Sequence, residues 1–207
     1  MKKILIATGN EGKRKEMLEV LSTLPDIEFL SLKDFPNTED PEEIGNTFEE
    51  NAFQKAQHFA NFFEIPTLGE DSGLVLEAFP EKFGVRTRRE FAHADDQEWL
   101  RLFLELLDGA ENRRATFYSA SAFFDPRTRN AHTELGMCSG TIAEFPQAPL
   151  EPGIPVSAVF IPDGHDLVYS AMDKKQKNAI SHRGWSMKGM KEFLNSSMQN
   201  CEGRVRN

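Results

Sequence analysis

Three polar stretches of this sequence carry residue types that together can handle phosphate. In the first, ILIATGNEGKRKE at residues 4–16, an apolar run from Ile4 to Ala7 ends abruptly in Thr8, Gly9, Asn10, Glu11, Gly12 and Lys13. Backbone N–H groups at a helix start lack an intrahelical partner and carry partial positive charge, which suits an anion, phosphate above all. Thr8 and Asn10 add side-chain hydrogen bonds, and Lys13 adds a full charge. The turn matches neither GxxxxGK[ST] nor GxGxxG, so taken alone it is equally an ordinary strand-to-helix connection.

The second stretch is Glu70-Asp71-Ser72-Gly73. Adjacent carboxylates at a strand end point in different directions, so one can hold Mg²⁺ while the other orients water. Taken alone, it has the composition of a polar turn. Glu42 and Glu43 belong to an acidic run with Glu39, Asp40, Glu49 and Glu50. An acidic segment beside a phosphate-type turn is what a divalent cation with a polyphosphate needs, although a solvated loop has the same composition. The third stretch joins Lys177 to Ser181, His182, Arg183 and Gly184. A Lys, a His and an Arg converging before a helix can grip phosphate or a purine edge, Arg through its planar fork. A loop with an N-cap serine would look the same.

The elements that must position these residues are legible in outline. After the first turn, Met17, Leu18, Leu21 and Leu24 recur at helical steps. Residues 26–32 resemble a second strand. Thr47 with Glu50 three positions on predicts a helix start with a capping box. Phe48, Ala52, Ala56, Phe59, Ala60 and Phe63 form its apolar stripe, and Asn51 and Lys55 share another face. Glu70 to Gly73 reads as a sharp turn before a strand over 74–78, and residues 79–94, with Arg86, Arg88 and Arg89, as irregular. Trp99, Leu100, Phe103, Leu104 and Leu107 predict a helix ended at Asp108-Gly109. Strands are expected over 116–124, over 131–143 and over 156–162, and a closing helix carries Met187, Met190, Phe193 and Leu194. Strand–helix units flanking a β-meander make the class mixed α/β.

Composition sets further bounds. The 207 residues are 39% hydrophobic and 28% charged, as in an ordinary globular protein, and suit one large domain or two small lobes. The net charge of −9 argues against nucleic acid as a partner. No apolar run approaches the roughly 20 residues of a membrane span, and the run after Lys2 and Lys3 is too short for a signal peptide. Cys138 and Cys201 lack metal-site spacing and are too few for a disulfide framework, so a reducing cytoplasm is expected.

In order and spacing, ATGNEGK at 7–13, TFEENAFQKA at 47–56, EDSGL at 70–74, FGV at 83–85 and KNAISHRG at 177–184 resemble the Ham1-like inosine triphosphate pyrophosphatase family. The resemblance implies two α/β lobes about a long mixed sheet, with the site in the cleft between them, and a homodimer. It implies Mg²⁺-dependent hydrolysis of inosine, deoxyinosine and xanthosine triphosphates to a monophosphate and pyrophosphate, a cleansing of the nucleotide pool. By motif, Thr8 to Lys13 and Lys55 would bind the triphosphate. Asp71 would be general base and metal ligand beside Glu70. Glu42 would be the second metal carboxylate, with Glu43 able to exchange roles with it. Ser72, Lys177, His182 and Arg183 would contact substrate.

Two places depart from that pattern. The family's Gly-aromatic-Asp-Pro segment is replaced here by Pro155, Val156, Ser157 and Ala158, and its Ser-Ala-Arg by Thr87, Arg88 and Arg89. Loss of a stacking ring would weaken base binding by roughly 1–3 kcal/mol. The phosphate half is kept and the base half rewritten, which predicts an altered base preference. The alternative is a catalytically weak nucleotide-binding relative with a regulatory role, and the retained Lys13, Asp71, Lys177 and His182 argue against it.

Overall fold

Pleating along the first strand sorts the core into two layers. The strand β1 (Lys2–Ala7) sends Ile4 and Ile6 to one face of the sheet and Leu5 and Ala7 to the other. Ile4 and Ile6 pack with Met17 and Leu21 of helix α1 (Glu11–Leu21). Leu5 and Ala7 pack with Phe59 of helix α2 (Phe48–Phe63). The computed structural model describes residues 2–35, 38–87 and 89–203, with side chains as far as residue 197. Arg88 and the Cys201 side chain lie outside the described residues.

The remaining strands are β2 (Ile27–Ser31), β3 (Thr67–Leu76), β4 (Arg114–Phe124), β5 (Ala131–Ile142) and β6 (Phe160–Pro162). Their order across the six-stranded sheet is β2-β1-β3-β4-β5-β6. The strand β1 runs parallel to β2 and β3, whereas β3 to β6 pair antiparallel. The helices α3 (Asp96–Leu106), α4 (Lys174–Ile180) and α5 (His182–Gly203) complete the mixed α/β architecture. Met187, Met190 and Leu194 of α5 join the α1 layer, and Trp99, Leu100 and Phe103 of α3 build a further core with Leu74, Leu76 and Phe160.

The sheet creates its own crevice. Pairing between β1 and β3 covers only Leu5–Ala7 against Thr67–Gly69, and β3 then runs on to Leu76 against β4, with a single bridge from Leu74 to Gly84 on its other edge. Residues 70–73 therefore turn a free edge toward the segment that follows β1, the place where open α/β sheets bind ligands.

This corrects the expected turn at Glu70 to Gly73. Those residues lie mid-strand, and the glycines there serve close approach. A Cβ on Gly69 would come within 2.3 Å of Ala52 O, and one on Gly73 within 2.2 Å of Gly84 O. The last strand also shrinks to Phe160–Pro162, because Pro155 opens a 3₁₀ turn over Pro155–Ala158. The polar connection before α5 contains α4, capped by Asp173 and Gln176 in a reciprocal box. Thr47 caps α2 by accepting from Glu50 N at 3.1 Å, but Glu50 reaches back to Asn46 N, one residue earlier than a capping box requires.

Candidate active site

A cavity of about 350 Å³ opens at that crevice, and the three polar stretches meet in it. From the turn after β1, Thr8, Gly9, Asn10 and Lys13 line it. Thr8 Oγ1 accepts from Asn10 N at 3.2 Å, and Asn10 Oδ1 caps α1 by accepting from Lys13 N at 3.1 Å. Asn10 Nδ2 donates to Gly153 O at 2.8 Å, which ties the turn to the strap that closes the far wall. Glu11 and Gly12 do not line the cavity. Glu11 pairs with Arg14 and Lys33 at the surface, and Gly12 lets the strap approach, since a Cβ there would meet Pro152 O at 2.5 Å.

Alternation along β3 separates the two adjacent carboxylates. Asp71 faces the cavity, where Asn51 Nδ2 donates to its Oδ2 at 3.0 Å. Burial pushes the Asp71 carboxyl up to about 6; Lys13 and Asn51 oppose the shift, and the negative Glu43 and Glu70 reinforce it. A carboxylate poised there can take a proton from water near neutral pH. Glu70 points to the opposite face and is fully enclosed. Lys13 Nζ lies 3.1 Å from Glu70 Oε2, while Arg183 and Ser119 donate to Glu70 Oε1. Burial alone would raise its pKa, but Lys13 and Arg183 hold it well below the usual carboxylate range. Glu70 thus braces cations and does not line the cavity.

In the acidic loop, Glu42 is exposed and outside the cavity, whereas Glu43 lines it. Lys55 Nζ donates to Glu43 Oε1 at 2.6 Å and Arg89 Nη2 to Glu43 Oε2 at 2.8 Å. Burial works against the Lys55 ammonium, yet Glu43, with Asp71 and Glu70 behind it, keeps it charged. The other flank is built from α4 and α5. Ser181 Oγ accepts from Gly184 N at 3.0 Å and caps α5, so the N-cap function is real and coexists with the cluster. Lys177, His182 and Arg183 line the cavity, and Arg183 Nη2 donates to Ser72 Oγ at 2.8 Å.

Several residues of the site carried no sequence assignment. Glu16 of α1 pairs with Lys177 at 2.6 Å and with Arg183, fixing both cations. Its position three residues after Lys13 on one helix face was the available signal. Phe117 stacks on His182 with centroids 4.6 Å apart and planes 9° from parallel, and Trp99 and Tyr169 also reach the cavity. These rings come from β4, α3 and the 3₁₀ turn Tyr169–Ala171. Aromatic surface is therefore present in the half whose own segment offers only Pro155, Val156 and Ser157. Burial, reinforced by Arg183, drives the His182 pKa well below its ordinary value and keeps the imidazole neutral.

The donor set suits a hard cation. Glu43 and Asp71 supply two carboxylates on one cavity, and the Asp71 charge is unfavourable until a cation offsets it. Among the described residues no group of three or more His, Cys, Asp or Glu side chains could hold a metal ion. An ion here would rest on one or two carboxylates and on substrate phosphates, which is how Mg²⁺ is usually held.

A family model described as the Ham1 family matches residues 4–193. The dITP/XTP pyrophosphatase of Dictyoglomus thermophilum is 34% identical over 203 residues, covering 97% of this chain and 96% of that protein. That of Bacillus anthracis is 35% identical over 198 residues, covering 94% and 96%. Among solved structures, a HAM1 protein from Coxiella burnetii superposes with a TM-score of 0.80 at 33% identity, over 95% of this chain and 100% of that one. The Staphylococcus aureus Ham1 protein does so at 0.78 and 28% identity, over 95% and 100%.

Proposed function

This chain belongs to the Ham1 family, and we propose that it hydrolyses inosine, deoxyinosine and xanthosine triphosphates to the monophosphate and pyrophosphate. The relatives named dITP/XTP pyrophosphatases support the substrate class. The observation that carries the reaction is the meeting of Asp71, the Thr8–Lys13 turn and the Lys177–Arg183 cluster in one cavity.

In this mechanism Thr8, Gly9 and Lys13 hold the triphosphate, and Lys55 adds charge from α2. Asp71 accepts a proton from water as that water attacks the α-phosphorus. The bond to the bridging oxygen breaks, and pyrophosphate leaves with the electron pair. No covalent nucleophile is required, because such chemistry is mainly positioning and charge stabilisation. Mg²⁺, when held by Glu43 and Asp71, would offset the phosphate charge that repels the incoming oxygen. On the base side, the rings of Phe117 and His182 offer a stacking surface, and Lys177 and Arg183 offer donors to keto oxygens. Ser157 and Val156 in the wall support a base preference of this chain's own.

A panel of purine and pyrimidine triphosphates, incubated with Mg²⁺ at neutral to alkaline pH, tests the proposal by pyrophosphate release. Inosine and xanthosine triphosphates are expected to lead. Saturable binding of every triphosphate with no pyrophosphate from any would overturn it.

A further inference from the structure

Asn51 sits on α2 with no exposed surface and carries a hydrogen bond on each end of its amide. Its Oδ1 accepts from Gly45 N at 2.8 Å, and its Nδ2 donates to Asp71 Oδ2 at 3.0 Å. One end thus holds the acidic loop that presents Glu43, and the other holds the strand that presents Asp71. Glu43 and Asp71 both line the cavity and repel each other; Lys55 and Arg89 hold the Glu43 side chain there, and Asn51 ties the loop backbone directly to the Asp71 carboxylate.

The neutral amide does both tasks at once from two separate atoms, its oxygen accepting from a backbone N–H and its NH₂ donating to a carboxylate. Reversing the amide would set its oxygen against the carboxylate and its NH₂ against the N–H. The Asn51 side chain is itself fully buried, so the reversed amide could not turn to water to satisfy its own groups. The fit is close on the loop side as well. A Cβ on Gly45 would fall 2.5 Å from Asn51 Oδ1 and 2.8 Å from Glu50 Cβ.

We infer that Asn51 is a positioning residue, a two-ended latch that sets the Asp71 carboxylate and the Glu43 loop in one fixed relation. This rests on the hydrolytic function proposed above. Asn51 touches neither water nor nucleotide in this scheme. Its contribution is orientation, and a displacement of about 1 Å in a reacting group can lower a rate by ~100-fold.

Two substitutions separate the two ends. Asn51→Asp keeps an acceptor for Gly45 N but sets a carboxylate against Asp71. Asn51→Leu removes both bonds. The readouts are kcat and KM for inosine triphosphate at saturating Mg²⁺, and hydrogen exchange over residues 38–46 in the nucleotide-free protein. Asn51→Asp is expected to lower kcat by roughly 10–100-fold, the usual loss for a supporting partner of a reactive carboxylate, while Gly45 stays protected. KM should hold within about threefold, since binding of the triphosphate is uniform in both states. Asn51→Leu should lower kcat as far and also speed Gly45 exchange by about tenfold or more, as expected for loss of a local tether.

A kcat near wild type in Asn51→Asp, or unchanged Gly45 exchange in Asn51→Leu, would overturn the latch. Should either Asn51 variant fail to fold, Gly45→Ala strikes the same link from the loop. Faster exchange with reduced kcat supports the latch, and faster exchange with unchanged kcat overturns it. A wild-type protein that releases no pyrophosphate fails the proposed function instead, and the exchange measurement still decides whether Asn51 tethers the loop.

Discussion

Lys13 and Glu70 form an ion pair of 3.1 Å between the first turn of α1 and the middle of β3, on the sheet face opposite Asp71. The pair joins a cavity-lining lysine to a carboxylate that does not line the cavity. Arg183 completes the arrangement from α5, and Glu16 anchors Arg183 from α1. Removing one member of a buried ionic cluster leaves its partners uncompensated, a loss of about 3–5 kcal/mol. Glu70→Gln is therefore expected to destabilise the fold by that order in urea denaturation. The pH dependence has a definite sign. The folded pKa of Glu70 is lowered, so its stabilising contribution is present above the unfolded carboxylate value of about 4.3 and fades as pH falls below it. Wild type should lose stability through that acidic range, and Glu70→Gln should show a shallower loss.

Asp71 has the reverse linkage. Its folded value of about 6 exceeds the ordinary 3.8, so ionised Asp71 costs stability as pH rises through about 6. Asp71→Asn is expected to abolish pyrophosphate release while stabilising the nucleotide-free fold at neutral pH by roughly 1–3 kcal/mol. In wild type, kcat/KM should climb tenfold per pH unit below about 6 and level off above it, since that ratio reports the free enzyme. The corresponding limb of kcat should lie lower, because a cation bound with substrate favours the carboxylate. A flat kcat/KM across that range would remove Asp71 from the role of base.

These opposite linkages show what the chain discloses on inspection and what it withholds. The turn after β1 and the helix cap at Thr47 are local, and local signals are enough to find them. Glu70 to Gly73 resembles a turn because two acids, a serine and a glycine rarely sit inside a strand. They do so here because Lys13, Arg183 and Asn51 arrive from three helices to satisfy the acids. Those partners are distant in sequence, so no window along β3 contains the information. The glycines mislead for the same reason, since Gly69 is set by Ala52 and Ala56 of α2 packed against it. Residues 156–162 look like strand by their β-branched content, but Pro155 sets a 3₁₀ turn that puts Val156 and Ser157 in the cavity wall. Phe117, Trp99 and Tyr169 belong to separate elements, and only folding makes them one surface.

The placement of Glu43 separates two neighbouring acids that composition cannot distinguish. Glu43 is held by Lys55 and Arg89 at the cavity, and Glu42 faces solvent. Glu43→Gln is expected to raise the Mg²⁺ concentration needed for half-maximal rate by roughly 10–100-fold, the loss typical of a disturbed metal environment. Glu42→Gln should leave it within about twofold, as for surface substitutions in general. Chelation of divalent ions should stop turnover in all three proteins, and readdition of Mg²⁺ should restore it. Equal effects from the two glutamine variants would mean that the loop presents either acid.

On the base side, Phe117 is the residue whose substitution best separates binding from chemistry. Its ring lies parallel to His182 at 4.6 Å and contacts Phe160 edge-on at 4.8 Å, so the face is braced from two sides. Phe117→Leu keeps apolar bulk and removes the π-face. Stacking of a base on such a face is worth roughly 1–3 kcal/mol, and it is made equally in ground and transition states. KM for inosine triphosphate should rise accordingly, with kcat little changed. Inorganic tripolyphosphate, which has no base, supplies the internal control. Its inhibition constant should be the same in wild type and Phe117→Leu, because the phosphate contacts proposed for Lys13, Lys55 and the turn after β1 do not involve the ring. A matching loss of tripolyphosphate affinity would show that the substitution disturbs the phosphate half, and Phe117 would then not be the base platform.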